Sequence, residues 1–160
     1  MNPAISQNDV DRTDAPLQIS HASARESVGV PATNFTGSVT LEMLFVPDGP
    51  DRTSAGAVTF APGARTNWHS HPLGQTLLVT AGVGRVQRWG GPIQQIRPGD
   101  VVRIPPNVKH WHGAAQDIGM IHVAIQEADD GRAADWLEPV SDAQFDAPVA
   151  ACDKPASQPV

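Results

Sequence analysis

Five of the chain's six histidines fall between positions 69 and 122, in three short segments: "WHSH" (68–71), "HWH" (110–112) and "IHV" (121–123). Imidazoles there could bind a divalent transition metal through a neutral ring nitrogen, or take and return a proton near neutral pH. Side chains alternate faces along a strand, so His69 shares a face with His71, and His110 with His112. The same rule sets His122 beside Met120, Ala124 and Gln126, opposite Ile121, Val123 and Ile125. Gln75 follows four residues after His71, where a carboxylate would hold a cation more tightly. A lone histidine on a strand is most often a surface or hydrogen-bonded core residue. Two His-x-His pairs and a third strand histidine, each on a definite face, point instead to convergence inside a barrel.

The segments that must position these residues suit strands better than helices: 38–45, 56–61, 65–71, 75–81, 84–89, 92–97, 100–105, 109–114 and 119–127. Gly, Pro or Asn punctuates nearly every junction, as at Pro62-Gly63, Pro72-Leu73-Gly74, Gly90-Gly91, Pro98-Gly99 and Pro105-Pro106-Asn107. Short strands at near-regular spacing predict an all-β antiparallel sandwich or small barrel. After residue 131, "RAADWLEPVSDAQFDA" reads as one or two short helices, with Ser141 and Gln144 placed as a capping box. Residues 1–33 are polar and aperiodic, as expected of a flexible or loosely docked arm, and 147–160 read as a disordered Pro/Ala-rich tail. The folded domain is expected over 34–146. Trp68, Trp89 and Trp111 alternate away from the histidine faces and are assigned to sheet packing.

At 160 residues the chain is long enough for one well-cored domain. Its net charge of −6, with no Lys/Arg run, disfavours a nucleic-acid surface. The single cysteine, Cys152, can form no intrachain disulfide. No apolar run reaches the roughly 18 residues of a membrane helix, and the acidic start does not read as a signal peptide. A soluble, cytoplasmic protein acting on a small molecule is expected, without nucleic acid or membrane. Exposed edge strands favour a homo-oligomer, a dimer or tetramer.

The punctuation around the histidines carries a family resemblance. Gly63 to Gly82 resembles the first cupin motif, G-x5-H-x-H-x3-E-x6-G, at every position except that Gln75 stands at the glutamate. Gly99 to Ala114 resembles the second, G-x5-P-x-G-x2-H-x3-N, matching at Gly99, Pro105 and His110. Asn107 replaces the glycine, a mild change because Asn tolerates a left-handed backbone, and Ala114 replaces the final Asn. The resemblance implies a single-domain cupin, a double-stranded β-helix or jelly-roll barrel with a short C-terminal helical segment. It also implies His69, His71, Gln75 and His110 as the ligands of a divalent transition metal. "PGARTNWHSHPLGQTLLVTAG", "PGDVVRIPPNVKHWHGAA" and "HVAIQE" are further similar to the small manganese-dependent cupins that act as (R)-selective hydroxynitrile lyases. On that likeness Mn2+ is the first expectation, with Fe2+, Ni2+, Co2+ and Zn2+ compatible. His112, His122 and Gln126 are implied as catalytic residues, and Val58 as part of the pocket wall.

Three histidines and a glutamine neutralise none of a divalent ion's charge, whereas a glutamate would neutralise one unit. An ion with its full +2 in a poorly screened cavity is a stronger Lewis acid toward an alkoxide. Loss of the anionic ligand also stabilises reduced iron or manganese, which makes oxygen activation less natural. The chemistry therefore leans toward redox-neutral acid/base work with His112 as general base, and the resemblance implies lyase action on a cyanohydrin such as (R)-mandelonitrile. A quercetinase-type dioxygenase and a non-catalytic small-ligand-binding cupin are the competing expectations.

Overall fold

Gly, Pro and Asn divide the chain into thirteen short strands among residues 16–151, which the computed structural model describes. Six of them form one antiparallel sheet. In order across it lie β1 (Ser27–Gly29), β3 (Val39–Phe45), β4 (Thr53–Phe60), β12 (Met120–Glu127), β7 (Gln75–Gly82) and β10 (Val101–Ile104). The facing sheet is centred on β11 (His110–Ala114). One edge of β11 pairs with β8 (Gly84–Arg88), which pairs in turn with β9 (Gln94–Ile96). Its other edge meets β5 (Arg65–Thr66) and β6 (His69–Ser70) end to end, and these pair outward with β2 (Phe35–Thr36) and β13 (Asp135–Trp136). The two sheets close face to face as a jelly-roll barrel, the expected all-β class.

Alternation decides what enters the barrel. On β12, Met120, His122 and Ala124 are buried, whereas Ile121 and Val123 are only half-buried and Ile125 is exposed. The antiparallel register across β4, β12 and β7 lines these residues into rows: Phe60–Met120–Gly82, Val58–His122–Val79, Gly56–Ala124–Leu77 and Ser54–Gln126–Gln75. Phe60, Leu77, Val79 and Met120 belong to a buried apolar cluster that also holds Val86 and Ile96. Burial of each such side chain contributes about 1.5–3 kcal/mol. The interior is thus apolar at the Met120 end and polar at the Gln75 end.

Two backbone positions show why the turn residues are as they are. Asn107 adopts φ 61°, the left-handed conformation expected for it, and its N–H donates to the His71 carbonyl at 2.8 Å. Gly82 adopts φ 76°, and a β-carbon there would lie 1.9 Å from the Gly119 carbonyl oxygen. No larger residue fits.

Three sequence expectations change. The segment 65–71 is split into β5 and β6, because the chain switches partners at Asn67 and Trp68. Asn67 N–H donates to Asn34 O at 2.8 Å and Trp68 N–H to Glu138 O at 3.0 Å. Of the helices expected beyond 131, one turn forms, α1 (Asp142–Phe145), with Ser141 and Gln144 making the capping box as expected. Asp135 and Trp136 pair with Ser70 and His69 as strand β13 instead, so ladder pairing overrides local helix preference. Trp68 and Trp111 pack in a second core with Ile93, Val140 and Phe145, but Trp89 is half exposed. Its ring lies 3.6 Å from Lys109 Nζ.

Near the N-terminus, β1 pairs with Thr40–Glu42 of β3, and Arg25 bonds Glu42 at 2.6 Å. Near the C-terminus, Ala150 N–H donates to Ile93 O at 2.8 Å. Residues 1–15 and 152–160, including Cys152, lie outside the described residues.

Candidate metal centre and pocket

His69 and His110 are cross-strand partners on β6 and β11, and His71 follows in the turn after β6. Each can offer one ring nitrogen such that the three atoms lie within 4.8 Å of one another. That clustering fits a single ion. The opposite ring atoms explain how the rings are held. His69 Nδ1 lies 2.9 Å from the Asn67 carbonyl and His110 Nδ1 lies 2.8 Å from the Val108 carbonyl. In both cases the partner is two residues earlier in the chain. His71 Nδ1 lies 2.7 Å from the Ala133 carbonyl. A carbonyl only accepts, so each Nδ1 carries the proton and each Nε2 keeps a free lone pair.

Two of these lone pairs, on His71 and His110, have no partner among the described residues. Among the described residues, five buried side-chain atoms lack a hydrogen bond: His71 Nε2, Gln75 Oε1, His110 Nε2, His112 Nε2 and His122 Nδ1. Native interiors leave few such atoms, because each costs about 1–3 kcal/mol. Five together, all on the expected site residues, fit a donor set awaiting a cation and a polar guest. Gln75 supplies the only oxygen of the set. Its Nε2 donates to Gln126 Oε1 at 3.1 Å, which turns its Oε1 away from that bond.

Burial holds the imidazoles neutral. It pushes His69 and His112 well below the usual histidine range, with neighbouring histidines adding to the effect, and it lowers His71 against the pull of the Ala133 carbonyl. His110 and His122 are both lowered to about 4, again chiefly by burial. A metal ligand must be unprotonated, so at neutral pH no proton has to be displaced.

His112 and His122 form a pair beside this group, with His122 Nε2 3.1 Å from His112 Nδ1. One proton lies between them, so at their outer atoms the neutral pair presents one lone pair and one N–H. Both line a cavity of about 300 Å³ together with His69, His71, Gln75 and Gln126. Val58 is on its wall, as expected. Phe35, Leu41, Phe60 and Trp136 complete an apolar surround, and no carboxylate is among the lining residues. A divalent ion here would keep its full charge.

Sequence reasoning missed Trp136, whose indole stacks on His69 with ring centroids 4.7 Å apart. No sequence signal marks it, because it becomes a neighbour of His69 only through the β13–β6 pairing. It also missed Ser54, which accepts from Gln126 Nε2 at 3.1 Å. Ser54 stands opposite Gln126 only once β4 and β12 are in register.

Comparison with known proteins agrees with this architecture. Residues 56–124 match the family described as "Cupin domain". The (R)-mandelonitrile lyase of Granulicella tundricola is 51% identical over 129 residues, spanning 81% of this chain and 98% of that protein. A cupin-like protein from Thermotoga maritima, solved by crystallography, is 44% identical with a TM-score of 0.70, covering 73% of this chain and 89% of its own. The polyketide cyclase RemF from Streptomyces resistomycificus shares the fold at 16% identity, with a TM-score of 0.64 over 81% of this chain and 91% of that one. A buried three-histidine group inside a jelly-roll barrel, both histidine motifs in place, and half-identity over most of the length place the chain in the cupin family.

Proposed function

We propose that the protein is a metal-dependent lyase that cleaves, or in reverse forms, cyanohydrins such as (R)-mandelonitrile. The observation that carries this reading is the meeting, in one apolar-walled cavity, of ligand-ready histidines with a separate hydrogen-bonded histidine pair. The name of the half-identical relative supplies the substrate class. His69, His71, His110 and Gln75 would hold the ion, with Mn2+ the first expectation. The ion would supply Lewis acidity, drawing a substrate hydroxyl toward ionisation.

The chain's own residues account for the proton. His112 Nε2, which has no partner among the described residues, accepts the hydroxyl proton. In this tautomer its Nδ1–H donates to His122 Nε2 across the 3.1 Å contact, so the charge gained is shared with a neutral neighbour. The O–H electron pair becomes the aldehyde carbonyl, the bond to the nitrile carbon breaks, and that bond's electrons leave on cyanide. His112 returns the same proton to give HCN, so the enzyme ends as it began. Phe35, Leu41 and Trp136 fit the hydrocarbon side of such a substrate and shield the reacting centre from water.

The test is an anaerobic assay of benzaldehyde release from (R)-mandelonitrile, paired with elemental analysis of the purified protein. Turnover without oxygen that stops on chelation and returns with Mn2+ is the expected result. Oxygen-dependent product would favour the dioxygenase, and a rate no faster than free Mn2+ would leave a binding protein only.

A further inference from the structure

A glutamine ligand has an ambiguity that a glutamate lacks: one end of its amide is an oxygen that binds cations, and the other is an NH2 that repels them. Flipped by half a turn, Gln75 would aim two N–H groups at the histidines and spoil the site. Something must choose the orientation. We propose that Gln126 is a positioning residue that makes this choice, acting through a hydrogen-bond chain whose direction is set by a backbone carbonyl. This inference rests on the reading of residues 69, 71, 75 and 110 as metal ligands.

The chain of bonds runs along one row of the six-stranded sheet. Ser54 on β4, Gln126 on β12 and Gln75 on β7 are direct cross-strand partners, so their side chains share a face and meet. Ser54 Oγ donates to the backbone carbonyl of Gln126 at 3.4 Å. A hydroxyl has one proton, so toward the Gln126 side chain Ser54 can only accept. Gln126 must therefore present Nε2 to Ser54, as it does at 3.1 Å. Its Oε1 then faces Gln75, and Gln75 answers with Nε2 at 3.1 Å. The one atom left over is Gln75 Oε1, buried and without a partner among the described residues. A peptide carbonyl cannot reverse, so each link fixes the next. One N–H of the Gln126 amide goes to Ser54 and its Oε1 goes to Gln75, which assigns the residue to orienting a ligand.

The proposal separates from a merely structural role because a carboxylate has no wrong way round. Replacing Gln75 by Glu offers oxygen at either end, so the orienting bond is no longer needed and Gln126 Oε1 becomes an opposing acceptor. The experiment is a double-mutant cycle on the full chain: unaltered protein, Gln126→Met, Gln75→Glu, and the two combined. Mn2+ affinity is read by counting free Mn2+ from its electron paramagnetic resonance signal, and circular dichroism with urea midpoints checks that each variant is folded. Gln126→Met is expected to weaken Mn2+ binding about tenfold in the unaltered background, the lower end for losing a ligand's hydrogen-bond partner. In the Gln75→Glu background it should leave affinity unchanged or raise it. Ser54→Ala, which removes only the source of the polarity, should show a smaller loss with the same dependence on background, and carries the test if Gln126→Met does not fold.

Losses agreeing within about twofold in both backgrounds, as for independent sites, would overturn the positioning role and leave the metal site standing. Failure of the unaltered protein to bind Mn2+ would overturn this inference and the proposed function together.

Discussion

Alternate residues of one strand, β11, enter two interiors of opposite character. His110 and His112 point into the barrel, while Trp111 between them points out into the second core, and all are buried. Trp68 and His69 divide in the same way. In the tryptophan region the polar atoms are matched. Trp111 Nε1 donates to Gln87 Oε1 at 2.7 Å and Trp68 Nε1 to Gln144 Oε1 at 3.3 Å. Arg65 donates to Val140 O and to Asp142 while its guanidinium lies 4.6 Å from the Phe145 ring centre. In the histidine region five buried atoms are unmatched. The side chains of both regions are buried, so burial does not tell them apart. Satisfaction does: the first is finished by its own protein groups, whereas the second is a set of acceptors and donors that only a guest completes.

The sharpest break in that contrast comes from His110→Ala. Removing one of three clustered nitrogens should abolish stoichiometric metal, with activity falling by three orders of magnitude or more, on the order of the barrier lowering ascribed to a bound metal. Metal retained at full occupancy, by elemental analysis, would remove His110 from the ligand set. Next, His112→Ala should keep the metal but lower kcat about 10²- to 10⁴-fold, the usual contribution of a general base. Loss of metal instead would make His112 a ligand.

Trp111→Ala, one residue away, should do the reverse. It should cost about 3–5 kcal/mol of stability in urea unfolding while the folded fraction still binds metal. Equal metal loss in both neighbours would erase the distinction between the two interiors.

Acid should also separate them. With metal stripped, His110 and His122 stay neutral in the native state down to about pH 4, whereas in the unfolded chain they protonate near 6.5. The unfolded state therefore binds more protons between these values, so stability is full above about pH 6.5 and falls as pH drops toward 4. Each of the two contributes about 3 kcal/mol to that loss. A urea midpoint that stays flat across this window would contradict their burial as neutral groups. The smallest effect is expected at the far edge of the tryptophan region, where Ser141→Ala removes the cap of α1. It should cost about 1 kcal/mol and leave metal content untouched.

Much of this was legible in the chain itself. Period-two spacing places His69, His110, His112 and His122 on definite faces, because alternation is a property of any strand and needs no knowledge of its neighbours. Asn107 and Gly82 announce their turns, since few other residues tolerate those backbone angles, and Ser141 with Gln144 announces a cap because both partners lie within one helical turn. The breaks at Asn67 and the strand at Trp136 are not legible. Both depend on which distant segment offers a backbone partner, and Asp135–Trp136 carries no pattern of its own.

What the amino-acid order determined alone was the inventory and its periodicity: which residues could bind a cation, and which of them share a side. Only the tertiary structure decided that Ala133 lends its carbonyl to His71, and that Ser54, Gln126 and Gln75 stand in one row. Hydrogen-bond direction depends on partners brought together from separate strands, and no local rule reaches across that distance. The residue types supply the ligands, and the register between strands decides which way each one faces.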